Sequence, residues 1–171
     1  MSKNLYETKI VGVGGDVPKF MSAIKMIVLF DDSMILPELR DFSVLHSGNR
    51  LTGVIKSGDI MKIAGSEFKI IKIGGEVHNN IRTLGHVIVK FDGGEGELMD
   101  GSIHVEDKPI PKLQIGDAIT ISEKSSTVLK GKTVVINGGD DATADALKNL
   151  FVENGAQIVS AEDADIVIKV K

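Results

Sequence analysis

The chain has 171 residues, a formal net charge of −4 at pH 7, no Cys and no Trp. That length suits one domain with room for a small appendage, and it can build a core without disulfides or metals. The lack of Cys excludes a disulfide frame, a thiolate metal site and a Cys nucleophile, and the mild acidity argues against a general nucleic-acid binder.

A first strand is expected over 6–13, ended by Gly14-Gly15-Asp16. A second apolar run covers 23–30 and stops at Asp31-Asp32-Ser33. A helical turn follows over 36–41, where Pro37 pre-sets φ. Residues 42–46 read as a short strand closed by Ser47-Gly48-Asn49, and 51–55 continue beyond it. Residues 60–64 and 68–73 form a hairpin around Gly65-Ser66-Glu67. The polar stretch 76–83 holds one helical turn, and 86–91 is a strong strand. A Gly-rich loop over 92–101 leads to a strand over 102–106. The last strand of this part covers 117–122.

Composition supports that reading. There are 21 Ile and 17 Val against 12 Leu, and 19 Gly. β-branched side chains fit a pleated surface, and glycines supply tight turns. Turn signals every 8–12 residues then imply a barrel or sandwich. The expected fold class is mainly β, an antiparallel β-barrel-like domain with a small C-terminal βαβ appendage. The expected boundaries are 1–122 for the barrel, 123–130 for a linker and 131–171 for the appendage. In the latter, a strand over 133–137 precedes a helix over 143–154 with an apolar stripe of Leu147, Leu150 and Phe151. Asp141 or Thr143 is placed to cap its start and Gly155 to cap its end. Strands over 157–160 and 165–170 follow. Gly131 to Gly139 resembles the opening of a short-chain dehydrogenase, but Asp140 and Asp141 would repel a phosphate there. A docking or dimerising module is the expectation.

Without Cys, the nucleophile and metal candidates reduce to histidines and carboxylates. A lone strand His is usually a hydrogen-bonded structural residue. His78 sits in a polar segment and reads as solvated. His86 follows Gly85 at a strand start. His104 lies between Ile103 and Val105, on the opposite sheet face from them. His46 ends a strand and enters the Gly48 turn, and strand-to-loop junctions are where scaffolds present reactive groups. Neutral imidazole is a good nucleophile near pH 7 and a natural acceptor of a phosphoryl group that must be passed on. Around it, Ser47, the Gly48 N–H, Asn49 and Arg50 are candidates to stabilise phosphate.

The run from Phe42 to Gly53 resembles the phosphorylation-site segment of the glucitol/sorbitol-specific IIA component of the bacterial phosphoenolpyruvate sugar phosphotransferase system. Leu84-Gly85-His86-Val87, with Phe91-Asp92-Gly93 after it, resembles the most distinctive string of that family. Gly101-Ser102-Ile103-His104-Val105, Gly116-Asp117 and Tyr6-Glu7-Thr8 fall in register. The likeness covers about 5–122. It implies a β-barrel-like phosphocarrier, in which His46 takes a phosphoryl group from HPr and hands it to a Cys on the IIB part of a glucitol/sorbitol permease. Family members can carry a further His two residues after the acceptor, where this chain has Gly48. His86 and His104, on matching strings, are the candidate helpers.

No metal or organic cofactor is expected on this reading. No segment approaches the roughly 18 uninterrupted apolar residues of a membrane span, and the N-terminus lacks the apolar run of a secretory signal. A cytoplasmic protein, without membrane insertion or a nucleic-acid partner, is therefore expected. Two other functions fit the residues. One is a metalloprotein in which His46, His86 and His104 converge on one ion. The other is a non-catalytic interaction barrel that binds through the Gly-rich loop.

Overall fold

The computed structural model describes residues 2–124, 133–138, 141–153, 157–158 and 166–170. The chain divides into two compact units, Met1–Lys124 and Ser125–Lys171. The first is a closed barrel of eight strands. These are β1 (Asn4–Val13), β2 (Met26–Asp31), β3 (Val44–Leu51), β4 (Ile60–Ile63), β5 (Ser66–Ile73), β6 (Val87–Lys90), β7 (Ser102–Val105) and β8 (Ala118–Ser122), in the ring order β1-β3-β2-β6-β7-β5-β4-β8. Closure pairs every edge, which removes the exposed strand as an aggregation hazard. Inward residues such as Ile10, Leu29, Val44, Ile63, Phe68, Val89, Ile103 and Ile121 fill one continuous core.

The mainly β, barrel-like expectation is met, but the sheet is mixed and not wholly antiparallel. β2 pairs with β3 in parallel, and β6 with β7 likewise. Parallel neighbours need a crossover connection of about a dozen residues. The segments 32–43 and 91–101 supply it, the first containing a 3-10 turn at Pro37–Phe42.

Two helices differ from expectation. α1 (Val17–Ile24) has no counterpart in the sequence reading, and its last two residues fall in the apolar run read over 23–30. Its last apolar residues run directly into β2, so the two periodicities merge in the sequence. Lys25 ends the helix in a left-handed conformation (φ 48°), a place where glycine is the usual signal. α2 (Val77–Leu84) is a full helix over the segment read as one turn, and Gly85 (φ 58°) caps it. β3 is the third difference. It runs through to Leu51, while the sequence suggested a turn after His46. Gly48 (φ 77°) forms a bulge there: Glu7 and Lys9 of β1 face Arg50 and Ser47, leaving two residues of β3 against Thr8.

The barrel contains an internal two-fold that the sequence reading did not see. Ile10 pairs with His46 as Ile70 pairs with Val105, and Val13 with Val44 as Ile73 with Ile103. The Gly14 N–H donates to the Ser43 carbonyl, and the Gly74 N–H to that of Ser102. Asp16 N–H reaches Asp41, and Glu76 N–H reaches Asp100. Gly58 and Gly116, at φ 94° and 98°, open matching turns before Asp59 and Asp117. The two halves meet where β2 and β6 pair, Ile27 against Val89 and Leu29 against Val87.

The second unit has a parallel sheet in the order β10-β9-β11, formed by β9 (Thr133–Gly138), β10 (Gln157–Ile158) and β11 (Ile166–Val170). α3 (Asp141–Glu153) connects β9 to β10, as a βαβ unit requires. On α3, Leu147 and Phe151 are half-buried and Leu150 is exposed. Residues 125–130 of the expected linker and the expected Gly155 cap lie outside the described residues. Among the described residues, no helix is long and apolar enough to cross a membrane.

Candidate active site

His46 is the third residue of β3, and its side chain shares the inward face with Val44. It does not stand at an open strand end, as the sequence suggested. It is fully buried. Thr8 of β1 lies across the bulge, and its Oγ1 is 2.8 Å from His46 Nδ1. The same hydroxyl is 2.8 Å from the Ser47 carbonyl, to which it is placed to donate. On the other side, His46 Nε2 lies 2.5 Å from the Gly85 carbonyl oxygen, which can only accept. Burial pushes the His46 pKa below its ordinary 6.5, against the opposing pull of the Gly85 carbonyl and the Asp31 carboxylate. The ring is therefore neutral near pH 7, the state a nucleophile needs.

Asp31 ends β2 opposite His46 in register. Its carboxylate accepts from the Ser33 N–H and hydroxyl, which closes the turn. The Tyr6 hydroxyl is buried close to the Thr8 side chain, without a hydrogen bond of good geometry among the described residues. Burial pushes its pKa up, so it stays a protonated donor. Gly85 carries no Cβ because there is no room: one there would stand 2.7 Å from Asp31 Cβ and 3.0 Å from His46 Cε1.

The internal two-fold gives this cluster its meaning. Ile70, Val105 and Val89 stand where Ile10, His46 and Leu29 stand. By that register, Thr8, Asp31 and His46 correspond to Phe68, Phe91 and Val105. Those three are fully buried, and the two Phe rings pack edge to face at 5.0 Å. The scaffold thus fills these three positions of one half with apolar side chains. The other half uses a histidine, a threonine and an aspartate. Burying polar groups carries a desolvation cost that an apolar set avoids, so the fold does not require them.

The other sequence candidates divide. Ser47, Gly48 and Arg50 line an open hollow of about 250 Å³ together with Glu7, Thr8 and Lys9. It lies over the bulge, and of the residues bonded to His46 Thr8 reaches its lining. Asn49 is turned away, and its side-chain amide donates to the Ile81 carbonyl at 2.6 Å, holding α2 against β3. His86 stacks on Phe30 with ring centroids 4.6 Å apart, and its Nδ1 donates to the Leu29 carbonyl at 3.1 Å. His104 is buried beneath the Gly-rich loop, its Nδ1 2.9 Å from Asp92. Burial acts to raise the Asp92 pKa, but the Gly94 N–H and His104 outweigh it and hold it below the usual carboxylate range. Neither His86 nor His104 hydrogen-bonds His46. His78, read as solvated, is half-buried and accepts the Ile55 N–H on Nε2. The three-His metal centre does not form: among the described residues no group of three or more His, Cys, Asp or Glu gathers as a metal site would.

Thr8, Asp31 and the Gly85 carbonyl were absent from the sequence candidates. Thr8 carried one usable sign, a polar residue between Tyr6 and Ile10 on the inward face of an alternating strand. The Gly85 carbonyl carried none, since it arrives from a distant helix end.

Residues 5–120 match the family model described as the PTS system glucitol/sorbitol-specific IIA component. Two curated relatives, the PTS system glucitol/sorbitol-specific EIIA components of Shigella flexneri and Escherichia coli (strain K12), are each 25% identical over 107 residues. Those matches cover 63% of this chain and 85% of each relative. The crystal structure of a PTS system IIA component from Enterococcus faecalis V583 superposes with a TM-score of 0.58 at 21% identity, covering 66% of this chain and 96% of that one. That likeness speaks to the barrel fold.

Proposed function

The chain belongs to the family of PTS glucitol/sorbitol-specific IIA components, and from that membership we propose that it carries a phosphoryl group on His46, taken from HPr and passed to the Cys of a IIB partner in a glucitol/sorbitol permease. Membership itself implies a phosphocarrier role with partners of that system. The assignment of the acceptor rests chiefly on one observation. His46 heads a buried polar cluster at a place where the equivalent half of the barrel needs only Phe68, Phe91 and Val105.

The chemistry follows from the ring's state. A neutral imidazole nitrogen attacks phosphorus as the donor's bond to phosphorus breaks, and the donor keeps that electron pair. Such transfers pass through a loose transition state, so positioning and charge do most of the work. Arg50 and Lys9 flank the hollow over the bulge and draw an anionic partner toward this end of the barrel. Because Nε2 is covered by the Gly85 carbonyl, transfer through that nitrogen includes a displacement of the 84–86 connection. Both handovers are brief, which suits a modest contact surface and not a deep pocket.

The test is intact-mass spectrometry after incubation with phosphoenolpyruvate, Enzyme I and HPr. The expected result is one acid-labile phosphoryl group on the wild-type chain and none on His46→Ala. A label that persists on His46→Ala moves the carrier site elsewhere. No label on the wild type with active donors ends the carrier reading.

A further inference from the structure

The Thr8 hydroxyl sits between two groups with unequal demands, the His46 ring and the Ser47 carbonyl. The Ser47 carbonyl can only accept, and so can the Gly85 carbonyl on the far side of the ring. A neutral imidazole carries one proton on its two nitrogens, and a hydroxyl has one proton to give. The full set of contacts, Nε2–H to Gly85, Nδ1–H to Thr8 and Thr8 O–H to Ser47, suits a doubly protonated ring. A neutral ring must choose. With the proton on Nε2, the ring is tied to Gly85, and Thr8 turns its O–H toward Nδ1. With the proton on Nδ1, Thr8 accepts it and donates to Ser47, and Nε2 has a free lone pair facing the Gly85 carbonyl.

We propose that Thr8 is a positioning residue that switches His46 between these two tautomers, so that Nε2 becomes the nucleophile when the 84–86 connection draws back. This rests on the reading of His46 as the phosphoryl acceptor. In the step itself, the Nε2 lone pair forms the new P–N bond, and the donor leaves with the electrons of the broken bond. The Nδ1 proton stays in place, shared with Thr8, and the positive charge it leaves on the phosphorylated ring offsets the phosphoryl oxygens. Both tautomers keep Thr8 satisfied, but with the proton on Nδ1 the Nε2 lone pair stands 2.5 Å from the Gly85 carbonyl oxygen, a repulsion that is relieved when that carbonyl draws back. An apolar residue suits packing here equally well, since Phe68 fills the equivalent position in the other half. A hydroxyl at position 8 is therefore explained by the ring and not by the core.

The experiment compares the full chain with Thr8→Val, which keeps the shape, and Thr8→Ser, which keeps the hydroxyl. Nitrogen-15 NMR of the His46 ring reports the tautomers. Initial phosphoryl uptake from phosphoenolpyruvate, Enzyme I and HPr reports the transfer. Thr8→Val is expected to move the ring toward the Nε2–H form and to slow uptake about tenfold or more, the usual cost of losing an orienting partner. Thr8→Ser is expected to restore both. Tautomer populations equal to wild type in Thr8→Val, or uptake at the wild-type rate, overturn the proposal. A wild-type chain that takes up no label removes the carrier reading instead, and the NMR comparison still decides whether Thr8 governs the ring.

Discussion

A methyl group at position 85 would stand 2.7 Å from Asp31 Cβ, and the glycine already holds φ 58°. Gly85→Ala therefore meets two penalties, a left-handed backbone and a contact with a residue fixed by its own turn. A loss of about 1–3 kcal/mol is expected, read by urea unfolding. An unchanged midpoint would show that the carbonyl's approach to His46 tolerates a side chain. His46 itself makes stability depend on pH. Burial lowers its pKa in the folded state, so the unfolded chain binds a proton first as the pH falls. The stability it contributes is complete above its ordinary value of 6.5 and declines below it, toward the depressed folded value. Unfolding at a series of pH values should show that decline in the wild type and a shallower one in His46→Gln.

At the scale of elements, the two halves should respond alike where their backbones coincide. A Cβ on Gly14 would land on the carbonyl oxygens of Arg40 and Asp41, and one on Gly74 on those of Met99 and Asp100. Backbone cannot yield as a side chain does, so Gly14→Ala and Gly74→Ala should each cost about 2 kcal/mol or more. A large loss from one and none from the other would break the proposed equivalence. The hairpin between β4 and β5 offers the opposite sign. Ala64 (φ 45°) and Gly65 (φ 84°) form a two-residue turn with positive φ at both positions. Asparagine accepts that conformation better than alanine, so Ala64→Asn should raise the melting temperature, by the equivalent of about 0.5–1 kcal/mol.

These same elements show what a sequence discloses. The hairpin over 60–73 and strands β6, β7 and β8 were legible because alternation and turn glycines are local. α1 was not, because an eight-residue helix ended by Lys25 gives no stop signal before the next apolar run. The two-fold was present as Val13-Gly14-Gly15-Asp16-Val17 against Ile73-Gly74-Gly75-Glu76-Val77, and as Ser57-Gly58-Asp59 against Ile115-Gly116-Asp117. Such short strings acquire meaning only when matching hydrogen bonds give them the same job. At the site, the resemblance points to His46, while its burial and its partners do not show in the local pattern. Ser47-Gly48-Asn49 has the composition of a turn and of a glycine bulge alike. Thr8 and Gly85 come from β1 and the end of α2, each about 38 or 39 positions away.

For the whole molecule, ring closure needs nothing beyond β8. β8 pairs with both β1 and β4, and the last of those pairs involves Ser122. A chain ended after Lys124 is expected to fold and to accept a phosphoryl group as the full chain does, checked by circular dichroism and by mass after exposure to the donors. Loss of the fold on truncation would make the second unit part of the barrel's stability. Family membership applies to the barrel, since the matching residues are 5–120.

The most direct measurement is to locate the phosphoryl group by residue. The full chain, charged by phosphoenolpyruvate, Enzyme I and HPr, would be digested at alkaline pH and its peptides fragmented under conditions that keep the P–N bond. The label is expected on His46 alone, in the half of the barrel where Thr8 and Asp31 replace phenylalanines. A label on His86 or His104 would contradict that claim and place the carrier chemistry at a histidine that makes no hydrogen bond to His46.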